Sequence, residues 1–316
     1  MGARTVRAGA GLLPALLVLL LLPGAAVLHA QPAPAHQIAP GVWFLLGDAH
    51  KGYSNTTLIE MQDYLIVVDA NYPARAREIM AEARRLSPKP VRLVFDTHAH
   101  GDHSYGNSLW TAAGATTMAY AAILGEMDRY EPARWQAAEA KRADVRDLHE
   151  TTVQRPLKTF RKSPYVLRDA TREVDFVYLG WGHTRADGFV WLPKERVLCT
   201  GDAAVNGPRN KLWDADIANW PRVLTRAMRL RPRVVLPGHG DAGGVEILTG
   251  QRRFLQDLYR AVQQQVQAGK TAAQMNIQLP EADGNWTPGD LAWDVEATYN
   301  EITQHEPAGA LPHAWK

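Results

Sequence analysis

Residues 97–103 carry the side chains best suited to chemistry in this 316-residue chain. They read Thr-His-Ala-His-Gly-Asp-His, which places four potential metal ligands within six residues. Histidine and aspartate are mostly exposed or paired in folded proteins, so core packing does not explain such a cluster. Imidazole and carboxylate together suit zinc and related divalent ions. The spacing therefore predicts a metal site.

The same segment has room for two metal positions. In an extended loop the side chains of His98 and His100 project to one side, because alternate residues share a face. Asp102 and His103 lie beyond Gly101 and can point toward a second position. This local pattern is compatible with more than one ion.

Three further candidate ligands stand downstream, each in a glycine-containing turn directly after a predicted strand. They are His183, Asp202 and His239. Because ligands at the carboxyl ends of strands converge on one face of an α/β sheet, we expect these side chains to meet the histidine-rich loop. Five histidines and two aspartates fit two divalent metals that share one carboxylate.

The elements that position these residues alternate between strands and helices. Short runs rich in β-branched and aromatic residues, bounded by Gly, Asp and Asn, predict strands. These runs cover 42–46, 56–61, 64–69, 91–96, 116–120, 174–179, 188–192, 196–200 and 233–236. Apolar residues at helical spacing predict helices over 74–86, 216–230 and 245–268. Two similar halves indicate two sheets sandwiched between helices.

The segment 121–163 is long for a connection, charged and rich in alanine. Its composition predicts a helical insert, which either lies over an active site or forms a solvated helical arm. We expect one catalytic domain over 41–316 that contains this insert and ends in a helical C-terminal extension. Residues 31–40 are expected to be a flexible leader.

The first 30 residues predict a signal peptide. Arg4 and Arg7 precede an apolar run that is too short for a comfortable membrane span and ends at small residues. A retained N-terminal anchor is the alternative. Cleavage would place the rest of the chain in the periplasm or outside the cell, with no stable membrane span. We expect its partner there to be a small-molecule substrate.

Composition narrows the class of protein. Without residues 1–30 the chain has 33 basic and 33 acidic residues, which gives no electrostatic reason to bind nucleic acid. The single cysteine, Cys199, excludes an intrachain disulfide framework and suits a bacterial periplasm. Cys199 lies on a predicted strand, where we expect a buried structural thiol.

The histidine-rich loop, together with the later His, Asp and His, resembles the signature of the metallo-β-lactamase superfamily. The resemblance spans roughly residues 40–260. It implies an α/β fold, the four-layer αββα sandwich, and a hydrolytic site with two divalent metal ions, zinc above all.

The resemblance also implies roles for individual residues. The first metal would be held by His98, His100 and His183, the second by Asp102, His103 and His239, and Asp202 would bridge them. Asp69 matches the structural aspartate that braces the histidine-rich loop.

Finer matches favour subclass B1 β-lactamases, at segments 182–187, 190–195, 213–221 and 237–244. Four positions depart from that subclass. Asp202 replaces a cysteine ligand, His103 replaces an arginine, Val205 replaces the lysine that binds the substrate carboxylate, and Lys211 replaces a substrate-binding asparagine. A bridging aspartate is typical of glyoxalase II, lactonases and related hydrolases.

These features predict an exported zinc hydrolase that attacks a cyclic amide or ester with a metal-bound hydroxide. Asp102 would also orient the nucleophile and carry its proton. We expect β-lactams to be the substrates. The nearest alternative is a lactonase, a thioesterase or a related hydrolase without β-lactamase activity. A non-catalytic metal-binding protein and a mononuclear iron dioxygenase are the others.

Five polar residues near the motifs are candidates for supporting roles. Thr184 and Asp187 would hydrogen-bond the metal ligands, in the way that outer partners orient metal-binding imidazoles. Tyr105, Asn206 and Lys211 would meet polar groups of the substrate.

Overall fold

The computed structural model describes residues 1–2, 35–207, 211–280 and 288–312. Contacts divide the chain after Pro32, and the fold lies in the unit Ala33–Lys316. Most of the predicted signal peptide falls outside the described residues. No helix in the described part of the chain is both long and apolar enough to cross a membrane.

A seven-stranded sheet forms the first half of the fold. Its strands are β1 (His36–Ala39), β2 (Val42–Leu45), β3 (Thr56–Glu60), β4 (Leu65–Val68), β5 (Val91–Asp96), β6 (Thr116–Tyr120) and β7 (Lys158–Phe160), paired in chain order. Pairing is antiparallel from β1 to β4 and parallel from β4 to β7. The parallel strands direct the carboxyl end of β5 toward one edge of the sheet.

A five-stranded sheet forms the second half. Its strands are β8 (Tyr165–Arg168), β9 (Glu173–Tyr178), β10 (Gly188–Leu192), β11 (Val197–Gly201) and β12 (Val234–Pro237), in the order β12-β11-β10-β9-β8. The β11–β12 pair is parallel and the others are antiparallel. Both strands of the parallel pair end next to a predicted metal ligand.

Nine α-helices accompany the sheets in the described residues. They are α1 (Pro73–Leu86), α2 (Gly101–Ser104), α3 (Asn107–Ala112), α4 (Ile123–Tyr130), α5 (Ala133–Lys141), α6 (Ala143–Arg146), α7 (Trp220–Arg229), α8 (Glu246–Gln267) and α9 (Pro288–Gln304).

Three buried clusters show how the layers pack. Side chains of both sheets, such as Phe95 and Phe176, fill the interior between them. The outer face of the first sheet packs on α1 through residues such as Ile79. The outer face of the second packs on α7 and α8 through residues such as Trp220 and Phe254. This arrangement confirms the predicted four-layer αββα sandwich.

Two sequence expectations are corrected at strand level. Residues 36–39 do not belong to a flexible leader, because His36–Ala39 pair with β2 as an edge strand; their polar composition hid this. The 121–163 segment is helical only through α4, α5 and α6. Its end forms β7, because the backbone of Lys158–Phe160 pairs with β6 and the Phe160 side chain enters the core.

The C-terminal helix α9 fixes the loop between β11 and α7. Glu301 is buried and accepts hydrogen bonds from the backbone N–H groups of Ile217 (2.9 Å), Ala218 (2.7 Å) and Ala308 (2.9 Å). The Gly309 N–H donates to the Ala215 carbonyl at 2.8 Å. The C-terminal extension therefore shapes a loop that reaches the site described below.

Replacing Glu301 with alanine should lower the free energy of unfolding by about 3 kcal/mol, because three backbone N–H groups, two of them buried, lose their carboxylate acceptor. Urea unfolding measures this loss. Glu306→Ala is the matched control, since Glu306 is exposed and its substitution should change stability by less than about 0.5 kcal/mol. Equal stability of both variants would contradict this role of Glu301.

Candidate metal centre

The histidine-rich loop begins where β5 ends. The Thr97 N–H donates to Asp69 Oδ1 at 2.8 Å, and the Thr97 carbonyl accepts from the Gly188 N–H at 2.7 Å. The chain then turns into α2, with His100 preceding its first residue. This single helical turn carries Asp102 and His103, and it brings the His103 ring to a centroid distance of 4.1 Å from the His98 ring.

The second sheet supplies the other three ligand candidates from its loops. His183 lies between β9 and β10, and its backbone N–H donates to Asp187 Oδ2 at 2.7 Å. Asp202 follows β11 and His239 follows β12. At Gly238 a side chain would collide with the Asp202 carboxylate, so only glycine allows these two strand ends to approach each other.

The seven predicted ligands converge as two adjacent groups. In the first, ligand atoms of His98, His100, His183 and Asp202 lie within 4.8 Å of one another. His100 Nδ1 and His183 Nε2 are 3.3 Å apart, and His183 Nε2 is 3.7 Å from Asp202 Oδ2. This group could hold one metal ion.

The second group contains Asp102, His103 and His239. His239 Nε2 lies 3.1 Å from Asp102 Oδ2, and His103 Nε2 lies 3.6 Å from the same oxygen. A second ion would find two imidazoles and a carboxylate here, which is a ligand set that suits zinc.

Asp202 faces both groups with different oxygens. Its Oδ2 is directed toward His183, whereas its Oδ1 lies 3.4 Å from His103 Nε2 and 3.5 Å from His239 Nε2. A carboxylate in this position can bridge two ions. The grouping is the one that the sequence resemblance implied.

Buried atoms at the centre fit a cation. His98 Nε2, His103 Nε2 and Asp202 Oδ1 are buried and have no hydrogen-bond partner among the described residues. Buried polar atoms are nearly always satisfied, and each exception costs about 1–3 kcal/mol. Divalent ions between these atoms would satisfy them, so the residues present fit the group that the family implies.

Two outer carboxylates fix the orientation of one histidine in each group. Asp69 Oδ2 lies 2.9 Å from His103 Nδ1, and Asp214 Oδ2 lies 2.7 Å from His100 Nε2. Each contact places the imidazole proton on the outer nitrogen and leaves the inner nitrogen's lone pair for a metal. Asp69 therefore braces the histidine-rich loop as expected.

Sequence reasoning missed Asp214 and its partner Arg134. Arg134 Nη2 lies 2.7 Å from Asp214 Oδ2, and the guanidinium stacks over the Tyr130 ring at 4.0 Å. Asp214 lies within a segment that the sequence resemblance covered, but its contact with His100 spans 114 residues. Only the fold could reveal that pairing, and it ties the helical insert to the first ligand group.

Burial keeps the imidazoles of the first group neutral. It lowers the pKa of His98 and His100 and brings the pKa of His183 to about 3. Neutral imidazoles are the metal-binding form. The first group is therefore ready for a metal at and well below neutral pH.

Carboxylates have the opposite effect on the second group. Burial alone would lower the pKa of His103, but Asp69 and Asp102 outweigh it and raise that pKa well above 6.5. In the same way Asp202 and Asp102 raise the pKa of His239 against the effect of burial. Protons compete more strongly with a metal here than in the first group.

The five supporting candidates fall into two places. Thr184 and Asp187 are buried beneath the 182–184 turn, where the Asp187 carboxylate accepts backbone N–H groups and the Thr184 hydroxyl. Asp187 positions the His183 backbone, and the hydrogen bonds of this pair do not go to the His183 imidazole. Tyr105, Asn206 and Lys211 line the cavity at the metal centre.

Each cavity-lining candidate has its own surroundings. The Tyr105 hydroxyl donates to the Glu131 carboxylate at 3.0 Å, and the residue is 3% exposed. The Asn206 N–H donates to the His239 carbonyl at 2.8 Å. Lys211 is exposed. Val205 is buried and supplies no cation.

The cavity has a volume of about 690 Å³ and opens over both ligand groups. Part of the wall comes from the 47–55 loop, from Asn206, Gly207 and Lys211, and from the 239–240 segment. Another part comes from α5 of the helical insert. The insert was predicted either to lie over an active site or to form a solvated arm, and its lining of this cavity supports the first hypothesis.

An αββα sandwich with a His/Asp cluster at the strand ends defines a class of metal-dependent hydrolases. A family model described as "Metallo-beta-lactamase superfamily" matches residues 51–239. The chain belongs to this superfamily and is a metal-dependent hydrolase of it. Membership confirms the resemblance seen in the sequence.

Individual relatives show how far the similarity extends. A metallo-beta-lactamase type 2 from Bacteroides fragilis is 38% identical over 83 residues, which is 25% of this chain and 33% of that protein. The chain therefore aligns with about a third of that relative's length.

Two solved structures share the fold. A metallo-beta-lactamase from Pontibacter korlensis is 18% identical, with a TM-score of 0.59 over 70% of this chain and 98% of that one. The stereoselective inverting sec-alkylsulfatase Pisa1 from Pseudomonas sp. is 19% identical, with a TM-score of 0.67 over 89% of this chain and 52% of that one.

Asp214→Ala should weaken zinc binding at the first group about 10- to 100-fold, because His100 loses the carboxylate that fixes its metal-binding tautomer. Competition with a zinc-responsive chelating dye measures the affinity. Asp216→Ala is the control, since Asp216 lies on the same loop. Its side chain accepts a hydrogen bond from the Asn219 backbone N–H, whereas that of Asp214 contacts a histidine. Wild-type affinity in the Asp214 variant would contradict the role.

Lowering the pH should release the two metals in separate steps. His103 and His239 have raised pKa values, so protons displace a metal from the second group first, whereas the first group keeps its metal to lower pH. Zinc content after equilibrium dialysis at stepped pH should fall from two to one and then to none. Loss of both metals in one step would contradict the assignment.

Proposed function

We propose that this protein is an exported hydrolase with two zinc ions that opens cyclic amides or esters, β-lactams first among them. One observation carries the two-metal proposal: Asp202 directs a different carboxylate oxygen to each ligand group. The outer carboxylates Asp69 and Asp214 support it, because each orients one histidine for metal binding.

The zinc ions, when bound, would supply a water of lowered pKa, near 7, and a Lewis acid for the substrate carbonyl. The protein's own residues then control the proton. The pKa of Asp102 is low despite burial, because nearby His103 and His239 favour its charged form. Asp102 also lines the cavity, so an ionised carboxylate can orient the nucleophile and accept its proton.

The cavity sets the limits on the substrate. A volume of about 690 Å³ suits a small molecule, since ligand pockets of this kind run from about 300 to 1,000 Å³. Tyr72 and Tyr105 supply apolar ring surface, and Asn206 supplies a polar edge. The type 2 metallo-beta-lactamase relative favours a β-lactam within these limits.

The sister proposal is a lactonase or thioesterase without useful β-lactamase activity. It is favoured by the aspartate at position 202 and the apolar Val205, which depart from the β-lactamase pattern. The alkylsulfatase neighbour overlaps more of the chain than the β-lactamase does, so a sulfate ester belongs in any substrate test. Export is supported by the sequence of residues 1–30.

A substrate panel on the purified zinc-loaded protein tests the proposal. It contains a penicillin, a cephalosporin, a carbapenem, a lactone, a thioester and a secondary alkyl sulfate. We expect turnover of at least one β-lactam, which stops on chelation and returns with added zinc. Absorbance and pH-stat assays measure the rates.

Asp102→Asn is the companion variant, because it keeps the side-chain shape but removes the carboxylate that would bind the second metal and accept the proton. Its kcat should fall about 10²- to 10⁴-fold. Chelator-sensitive turnover of only the lactone or thioester would overturn the β-lactam assignment in favour of the sister proposal. No turnover across the panel would overturn both.

A further inference from the structure

One face of α5 forms part of the cavity wall. Arg134, Ala137, Ala138 and Lys141 line the cavity, and their spacing of three, four and seven residues places them on one side of a helix. The two alanines leave space beside the helix. Each end of this face carries a cation.

The charges around the cavity have one sign outside the metal centre. Asp102 and Asp202 belong to the ligand groups. Among the described residues that line the cavity, every other charged one is basic: Arg134, Lys141, Arg142 and Lys211. A cleft lined by one sign of charge concentrates ligands of the opposite sign.

The two arginines are held in place by acidic neighbours. Arg134 contacts the Asp214 carboxylate at 2.7 Å, and Arg142 contacts the Asp144 carboxylate at 3.1 Å. The Arg142 guanidinium also stacks over the Tyr72 ring at 3.7 Å. Their charges are largely compensated, and their geometry is structural.

The two lysines differ from the arginines in this respect. Both are exposed, and within the described ranges no carboxylate oxygen lies within 4.0 Å of the ammonium group of Lys141 or Lys211. They come from different parts of the chain, one from the insert and one from the loop before α7. Each is available to a ligand inside the cavity.

We propose that Lys141 and Lys211 recognise an anionic substituent, a carboxylate, that lies on the substrate away from the bond being cleaved. This inference rests on the proposed hydrolase function and adds the substrate's charge. The insert thereby becomes a specificity element, because it supplies Lys141 as well as the wall that faces the metal centre.

Matched pairs of substrates test the charge requirement. Each active substrate is tested in a form that carries a remote carboxylate and as the neutral methyl ester of that carboxylate, in the wild type, Lys141→Met, Lys211→Met and the double variant. KM for the acid should rise about fivefold in each single variant, the size expected for one partly exposed ion pair. The kcat and the KM for the ester should stay unchanged.

Two controls separate recognition from structure. A lysine in the last turn of a helix also stabilises that helix, so thermal unfolding is measured for every variant. Lys141→Arg keeps the charge and should restore the acid preference. Lys162→Met removes an exposed lysine that does not line the cavity and should change nothing.

An acid preference that survives in the double variant, or its absence from the wild type, would overturn the proposal. If no panel substrate is turned over, the proposed function fails on its own, and calorimetric titration with succinate and neutral succinamide decides the lysine site. Weaker succinate binding in the double variant than in Lys162→Met supports the site. Equal or undetectable binding refutes it.

Discussion

The Asp202 carboxylate is the contact on which the rest of this site depends. Its two oxygens face different ligand groups, so its position requires that the ends of β11 and β12 meet the loop after β5. Gly238 permits that approach because any side chain there would occupy the space of the carboxylate. The two sheets pack through a shared interior, and this packing holds both strand ends still. The αββα sandwich therefore serves to bring together donor atoms that lie far apart in the chain.

Two carboxylates outside the ligand groups orient histidines of the metal centre. Asp69 and Asp214 each contact the outer nitrogen of a histidine and leave its inner nitrogen for a metal. The two aspartates have different structural supports. Asp69 lies at the end of β4, whereas the Asp214 loop is held by Glu301 of α9 and the Asp214 side chain contacts Arg134 of the insert. The helical additions outside the sandwich thus act on the centre itself.

The sequence alone predicted those features that depend on the spacing of residues within short segments. The histidine-rich loop, the strand-end positions of His183, Asp202 and His239, and the layered fold all follow from patterns within short segments. The Arg134–Asp214–His100 chain could not be predicted, because its members are separated by at least 34 residues and have ordinary types. The edge strand at 36–39 and β7 were also missed, since short strands with mixed polarity are stabilised by their neighbours in the sheet and not by their own composition.

The central claim is that two metal ions lie on either side of Asp202. Crystals of the zinc-loaded protein, measured above and below the zinc absorption edge, test this most directly through anomalous difference maps. The account predicts two peaks, one at His98, His100 and His183 and one at Asp102, His103 and His239, with Asp202 between them. A single peak, or a pair that does not share Asp202, would contradict it.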